Sequence, residues 1–310
     1  MEIEAKLRRS HPRGARFGTW PAPDGWPLRR MDWGQPKKAR ARGSLLFAGG
    51  RGDFIEKYLE ALSHWHDRGW AVTAFDWRGQ GASQGAGFAF DSFDPLVDDL
   101  EALLADWHET TPGPHVAIGH SMGGHLLLRT LVERQPALDA AVLVAPMIVV
   151  NSSPIPDWLA PEMAEAMCRL GFGTVSMWKA APVPSGPGSQ RQRILTGSLD
   201  RYADEAWWWD RHPGWKMTPP SWNWMRAAFR SAAAAFTPER MAGVKLPLLL
   251  LGTERDRLVS PAAIRRVAAE LPHAELEMYP DSGHEILREA DPVRRAALAR
   301  IDAFLDAHAP

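Results

Sequence analysis

Val116-Ala117-Ile118-Gly119-His120-Ser121-Met122-Gly123-Gly124-His125-Leu126-Leu127 decides the fold of this 310-residue chain. A short apolar run leads into Gly119-His120-Ser121-Met122-Gly123. Leu126, Leu127, Leu128, Leu131 and Val132 follow at helical spacing. The stretch reads as strand, sharp turn and helix, with a G-x-S-x-G pentapeptide at the turn. Such a turn strains the serine backbone, so the residues two before and two after it must have almost no side chain. Gly119 and Gly123 meet that need. The serine then stands at a helix N-terminus, where free N–H groups and the helix dipole favour developing negative charge. A glycine-rich turn without chemistry is the plainer alternative. The flanking strand and helix favour a nucleophile.

Outward from this stretch, strands alternate with helices. Upstream, Ser44–Ala48 is an apolar strand running into Gly49-Gly50-Arg51-Gly52-Asp53, a tight loop. An amphipathic helix is predicted over Phe54–Asp67, with Ile55, Tyr58, Leu59 and Leu62 as its apolar stripe. Trp70–Phe75 is the next strand, and Phe93, Leu96, Val97, Leu100, Leu103, Leu104 and Trp107 mark a further helix. Ala15–Trp20 and Trp26–Trp33, with Asp24-Gly25 between them, form a leading hairpin. Downstream, Ala140–Ala145 is a buried strand. Several strands are continuous apolar runs, so the pattern is a parallel sheet covered on both faces.

The alternation stops at Pro146. Residues 147–236 contain no clear strand, many prolines, a Ser185–Gly188 linker and helix-like patches. They hold eight of the chain's 15 tryptophans, Trp158, Trp178, Trp207, Trp208, Trp209, Trp215, Trp222 and Trp224. This segment is expected to be an inserted helical cap, with residues 1–146 and 237–310 as the core. Strand Leu246–Leu251, a helix over Ala262–Leu271 capped by Ser260-Pro261, strand Ala274–Tyr279 and a closing helix Asp291–His308 complete the chain.

Composition narrows the function. The formal net charge is −1 and neither half is strongly basic, so nucleic acid is not an expected partner. One cysteine, Cys168, precludes an intrachain disulfide and fits a reducing, cytoplasmic setting, most simply as a small semi-buried apolar residue. The N-terminus lacks an apolar core of the signal-peptide kind, and no stretch approaches the length of a membrane span. Histidines are scattered and no metal-ligand spacing or phosphate loop occurs, so neither a metal nor a cofactor is expected.

Chemistry in open α/β sheets sits at the carboxyl ends of strands. Asp256 follows the strand at Leu246–Leu251, and His284 follows the last strand through Asp281-Ser282-Gly283. With Ser121 they stand in the order Ser, Asp, His. In that set His284 takes and returns the serine proton, and Asp256 holds the imidazole tautomer. Glu254 and Asp281 are the rivals of Asp256. His120 and His125, beside the turn, read as structural. An oxyanion hole needs two backbone N–H groups, and Met122 and Arg51 are the candidates.

Gly119–Gly124, Asp76-Trp77-Arg78-Gly79-Gln80-Gly81-Ala82-Ser83, Gly252…Asp256 and Ser282-Gly283-His284 together resemble the lysophospholipase and monoacylglycerol-lipase branch of the α/β-hydrolases. Leu195-Thr196, Arg201-Tyr202, His212-Pro213, Trp222-Asn223-Trp224 and Ala227-Ala228-Phe229-Arg230 resemble the matching stretch of bacterial lysophospholipase-like proteins. The resemblance implies an α/β-hydrolase fold, a mostly parallel sheet with helices on both faces and an inserted helical cap. It also implies a structural role for the Asp76–Ser83 loop. The family carries His-Gly where this chain has Gly49-Gly50, and that histidine helps order the oxyanion loop.

The expected activity is therefore serine hydrolysis of carboxylic esters, with monoacyl lipids or other medium-to-long acyl esters as substrates. Lactones, small aromatic esters, amides or peptides are alternatives on the same triad. A non-catalytic ligand-binding role is a third reading. The tryptophans serve either as subdomain core or as an acyl-binding surface, for which Trp207, Trp208, Trp222 and Trp224 are the candidates. An exposed tryptophan among them would also suit peripheral contact with a membrane. The sequence does not specify an oligomeric state.

Overall fold

The computed structural model describes residues 6–37, 39–83, 91–176 and 186–310. Trp178 and Ser185, named above, lie outside the described residues. Eight strands form one sheet: β1 (Ala15–Pro21), β2 (Pro27–Trp33), β3 (Gly43–Ala48), β4 (Trp70–Phe75), β5 (His115–His120), β6 (Ala140–Val144), β7 (Leu248–Thr253) and β8 (Ala274–Tyr279). Their order is β1-β2-β4-β3-β5-β6-β7-β8. β1 and β2 pair antiparallel with each other, and β2 pairs antiparallel with β4. Every pairing from β4 through β8 is parallel.

The helices are α1 (Leu59–Asp67), α2 (Asp94–Thr110), α3 (Met122–Glu133), α4 (Ala160–Arg169), α5 (Gln190–Leu195), α6 (Leu199–Arg211), α7 (Trp222–Ala235), α8 (Pro238–Met241), α9 (Pro261–Glu270) and α10 (Asp291–His308). The central strands are apolar on both faces because both faces are covered. Leu46, Ala117, Leu143 and Leu250 pack with α2, α3, α7 and α9. Their neighbours Leu45, Phe47, Ile118, Val142 and Leu249 pack on the other side with α1 and α10. Successive residues of one strand thus feed two cores, as the period of two requires.

Two elements differ from expectation. The helix expected over Phe54–Asp67 begins as a 3-10 turn at Ile55–Tyr58, and α1 starts only at Leu59. Ile55 N–H is donated to Asp76 Oδ1 at 2.8 Å, and Lys57 N–H reaches Phe54 O at 3.0 Å, which tightens that first turn. β7 is shifted two residues onward from the expected Leu246–Leu251. Among the described residues after β6 stand α4, α5, α6 and α7, with two isolated bridges, Val150 to Val259 and Ser176 to Ser221. The predicted Ser260 cap is present, its Oγ accepting Ala263 N–H at 3.3 Å. Cys168 is half-buried against the α2/α3/α7 core. Among the described residues, no helix is long and apolar enough to cross a membrane.

Candidate active site

Ser121 lies between β5 and α3 with φ 52° and ψ −116°. For a residue with a Cβ this is a strained, left-handed conformation. The neighbouring glycines make it possible. A Cβ on Gly119 would stand 2.7 Å from Gly123 O and 2.8 Å from Gly124 Cα. A Cβ on Gly123 would collide with the carbonyls of Ala48 and Gly49. The turn packs directly against the loop after β3, so Ser121 and residues 49–53 share one edge of the sheet.

Two further loops reach the same edge. His284 Nε2 is 2.9 Å from Ser121 Oγ, and His284 Nδ1 is 2.7 Å from Asp256 Oδ2. Asp256 Oδ1 accepts the N–H groups of Leu258 at 2.8 Å and Val259 at 3.0 Å, which locks the carboxylate toward the ring. The rivals are engaged elsewhere: Glu254 pairs with Arg265, and Asp281 lies 3.2 Å from Arg255 on the surface. Burial works against a charged imidazole at His284. The Asp256 carboxylate, helped by Glu285 and Asp53, more than offsets it, so the pKa lies above that of an ordinary histidine. Burial likewise opposes charge on Asp256, yet His284 and the two N–H donors hold its pKa below the usual carboxylate range.

In the candidate oxyanion loop, three N–H groups have acceptors. Gly50 N–H goes to Asp53 Oδ2 at 2.6 Å, Gly52 N–H to Gln80 Oε1, and Asp53 N–H to Gly50 O at 3.3 Å. Among the described residues, Arg51 N–H has no protein acceptor. Met122 opens α3, so its N–H has no intrahelical acceptor either. These two groups, the sequence candidates, are the donors left over beside Ser121. The Asp76–Ser83 loop braces the same turn: Trp77 Nε1 donates to Gly49 O at 2.7 Å, and Asp76 accepts from Ile55 and Ala82.

Where the resemblance implies a loop histidine, this chain packs Asp53, Lys57, Tyr58 and His120 around the loop. Asp53 lies 3.0 Å from His120 Nδ1 and 3.1 Å from Tyr58 Oη, and Tyr58 Oη is 2.8 Å from His120 Nδ1. Lys57 Nζ joins Asp53 at 2.7 Å, Glu205 of α6 at 2.9 Å and Glu285 at 2.6 Å. One buried ammonium thus connects the oxyanion loop, the inserted segment and the residue after His284. Burial disfavours its charge, but the three carboxylates outweigh this and raise its pKa. The spacing Asp53, Lys57 carried a helical i,i+4 signal, but only folding brings in Glu205 and Glu285.

The inserted segment also sets the histidine. His284 N–H donates to Ile194 O at 3.0 Å and Glu285 N–H to Leu195 O at 2.7 Å. A Cβ on Gly283 would stand 2.6 Å from Leu195 O, so glycine is needed there for close approach. His125, as expected, is structural: it links Met147 O at 2.8 Å to Ser231 Oγ of α7 at 2.7 Å, and burial pushes its pKa down to about 4.

The tryptophans divide. Trp207 and Trp208, candidates for the acyl surface, are packed elsewhere. Trp208 donates its indole N–H to Arg8 O at 3.0 Å and stacks beside His11 and His212, while Arg211 and Arg9 cover Trp207. The N-terminal segment folds back over α6 and occupies that face. Trp222 and Trp224 are both buried. Of these, Trp224 is brought to the oxyanion loop, its ring 5.3 Å from the Arg51 guanidinium carbon.

The sheet order, the strained serine and the Asp256–His284–Ser121 chain define an α/β-hydrolase. The serine aminopeptidase S33 family model matches residues 39–291. The chain belongs to that family and is an enzyme of the serine-hydrolase class, in the branch that holds lysophospholipases and monoacylglycerol lipases. It is 27% identical over 285 residues to a probable lysophospholipase L2 of Haemophilus influenzae, covering 88% of this chain and 86% of that protein. It is 25% identical over 278 residues to a monoacylglycerol lipase of Mycolicibacterium smegmatis, covering 86% of this chain and 89% of that protein. A soluble variant of monoglyceride lipase from Saccharomyces cerevisiae, solved with a substrate analogue, shares the fold at a TM-score of 0.73 and 17% identity, covering 97% and 98% of the two chains.

Proposed function

We propose that the protein hydrolyses monoacyl lipid esters through Ser121, His284 and Asp256. The single observation that carries this reading is the hydrogen-bonded chain from Asp256 through His284 to Ser121, with unclaimed N–H groups beside it. Ser121 Oγ attacks the ester carbonyl while His284 Nε2 takes its proton. The N–H groups of Arg51 and Met122 receive the carbonyl oxygen as it becomes negative. His284 then gives the proton to the departing alcohol, leaving an acyl-enzyme. Water, deprotonated by His284, attacks the acyl carbon. Collapse releases the acid and returns the proton to Ser121.

The 147–236 segment acts as the cap over this edge. Its support is that α5 and α7 touch the loops of His284 and Arg51. Trp158, Leu159, Leu170, Phe172 and Val175 cluster as exposed apolar residues at and around α4. That clustering supports peripheral contact with a lipid surface. The single cysteine supports a cytoplasmic setting. The test is a series of initial rates on p-nitrophenyl esters from acetate to palmitate, beside lysophosphatidylcholine and monoacylglycerol, with Ser121→Ala as control. A long-chain optimum that vanishes in the variant is expected. A maximum at acetate would remove the lipid assignment. Hydrolysis of amides or peptides is a second reading, favoured by the description of the matched family, and aminoacyl p-nitroanilides test it.

A further inference from the structure

Arg51 is the anomaly of the site. Most buried or half-buried arginines here face a carboxylate: Arg29 meets Glu56, Arg78 meets Asp99, Arg191 meets Glu205, Arg201 meets Glu60 and Arg288 meets Glu285. Arg51 forms no ion pair among the described residues. Its side chain is half-buried, and one terminal nitrogen donates to Thr218 O at 2.7 Å. Its Nε is sealed from solvent with no acceptor. The indole N–H of Trp224, whose ring lies against the guanidinium, is also buried without an acceptor. Burial with no compensating anion pushes the Arg51 pKa down to about 10, which still leaves it cationic at neutral pH. A half-buried cation with no anion, and two buried donors with no acceptor, cost free energy unless something supplies acceptors.

The position says which end of a substrate would do so. Arg51 contributes its own N–H beside Ser121, so its side chain starts where the ester carbonyl binds. In a monoacyl glycerophospholipid, the glycerol carbons separate the ester carbonyl from the phosphorus by a short run of single bonds, comparable in reach to an arginine side chain. A planar guanidinium matches two oxygens of a phosphodiester, and an indole N–H adds a third contact. The geometry points to Arg51 and Trp224 as the subsite for the phosphodiester of a lysophospholipid, so that this site prefers phosphodiester-bearing esters to monoacylglycerols. This rests on the ester-hydrolase reading above. A carboxylate in the same place offers the same chemistry, and the experiment separates the two.

The measurement is kcat/KM for wild type, Arg51→Gln, Arg51→Lys and Trp224→Phe on three oleoyl esters: lysophosphatidylcholine, monooleoylglycerol and the hemisuccinate of monooleoylglycerol. The quantity read is the ratio of the lysophosphatidylcholine value to the monooleoylglycerol value, because Arg51 also holds the oxyanion loop and absolute rates can fall for that reason. A fall in the ratio of about tenfold in Arg51→Gln is expected, carried mainly by KM and partly regained in Arg51→Lys. A smaller fall is expected in Trp224→Phe, which keeps the ring and loses the N–H. Equal losses on all substrates, or an unchanged ratio, overturn the subsite. A ratio lost only for the hemisuccinate overturns the phosphodiester assignment in favour of a carboxylate. Should no ester be cleaved, the ester reading falls, and protection decides the subsite separately. There, sn-glycero-3-phosphocholine slows fluorophosphonate labelling of Ser121 more in wild type than in Arg51→Gln if the subsite exists, and equally if it does not.

Discussion

Asp53 Oδ2 accepts the N–H of Gly50 at 2.6 Å, and this one bond ties the oxyanion loop to the buried charge cluster beneath it. With Gly50 N–H held by Asp53, the next N–H, that of Arg51, is turned free. Asp53→Ala removes the tie while Lys57 keeps Glu205 and Glu285. A fall in kcat of about 10²-fold with little change in KM is expected, as for loss of one oxyanion donor. Steady-state kinetics on a short p-nitrophenyl ester check it, with circular dichroism confirming the fold. An unchanged kcat in the folded variant would mean that Gly50 is held by its neighbours alone.

Ser121→Ala is expected to abolish fluorophosphonate labelling and lower ester turnover by about 10⁴-fold or more. Intact-mass spectrometry after labelling reads the first and initial rates the second. Labelling that persists would place the nucleophile elsewhere.

His284 is raised in pKa by Asp256, against the effect of burial. Its neutral form is the base, so the rate rises as pH climbs through that pKa, and the acid limb of kcat/KM lies above the ordinary histidine value of about 6.5. The sign for stability is opposite. A raised native pKa favours the folded state fully below the unfolded pKa, and that contribution fades as pH rises through the native value. Asp256→Asn is expected to lower kcat and move the acid limb downward. A pH–rate profile of both proteins reads it, and an unmoved limb would detach Asp256 from the imidazole.

Lys57→Met leaves Asp53, Glu205 and Glu285 buried around a lost cation. Destabilisation of about 3–5 kcal/mol is expected, the range for breaking a buried charge pair on one side. Urea unfolding at neutral pH measures it. A loss below about 1 kcal/mol, the scale of an exposed pair, would show that water enters the cluster.

Trp158→Ser together with Phe172→Ser is expected to reduce co-sedimentation with phospholipid vesicles and turnover of vesicle-borne ester. Turnover of a soluble short-chain ester stays unchanged. Undiminished vesicle binding would discharge the exposed cluster from that role.

The sequence carried the strand-turn-helix at Ser121 because local sterics demand it. The missing Cβ of Gly119 lets β5 meet the start of α3, and that of Gly123 lets the turn meet the end of β3. It carried Asp256 and His284 because strand periodicity places loops at the sheet's carboxyl edge. Beyond the local Asp53–Lys57 pair it did not carry the cluster, because Glu205 and Glu285 lie far along the chain and reach Lys57 only through tertiary packing. Trp207 and Trp208 show the same limit. Helical spacing cannot tell which neighbour covers an aromatic face, and residues 6–11 cover theirs. Short-range sterics and the alternation of apolar strands with amphipathic helices therefore determined the fold and the turn at Ser121 from the sequence. Long-range packing decided which charges pair, and it alone left Arg51 without an anion among the described residues beside Ser121.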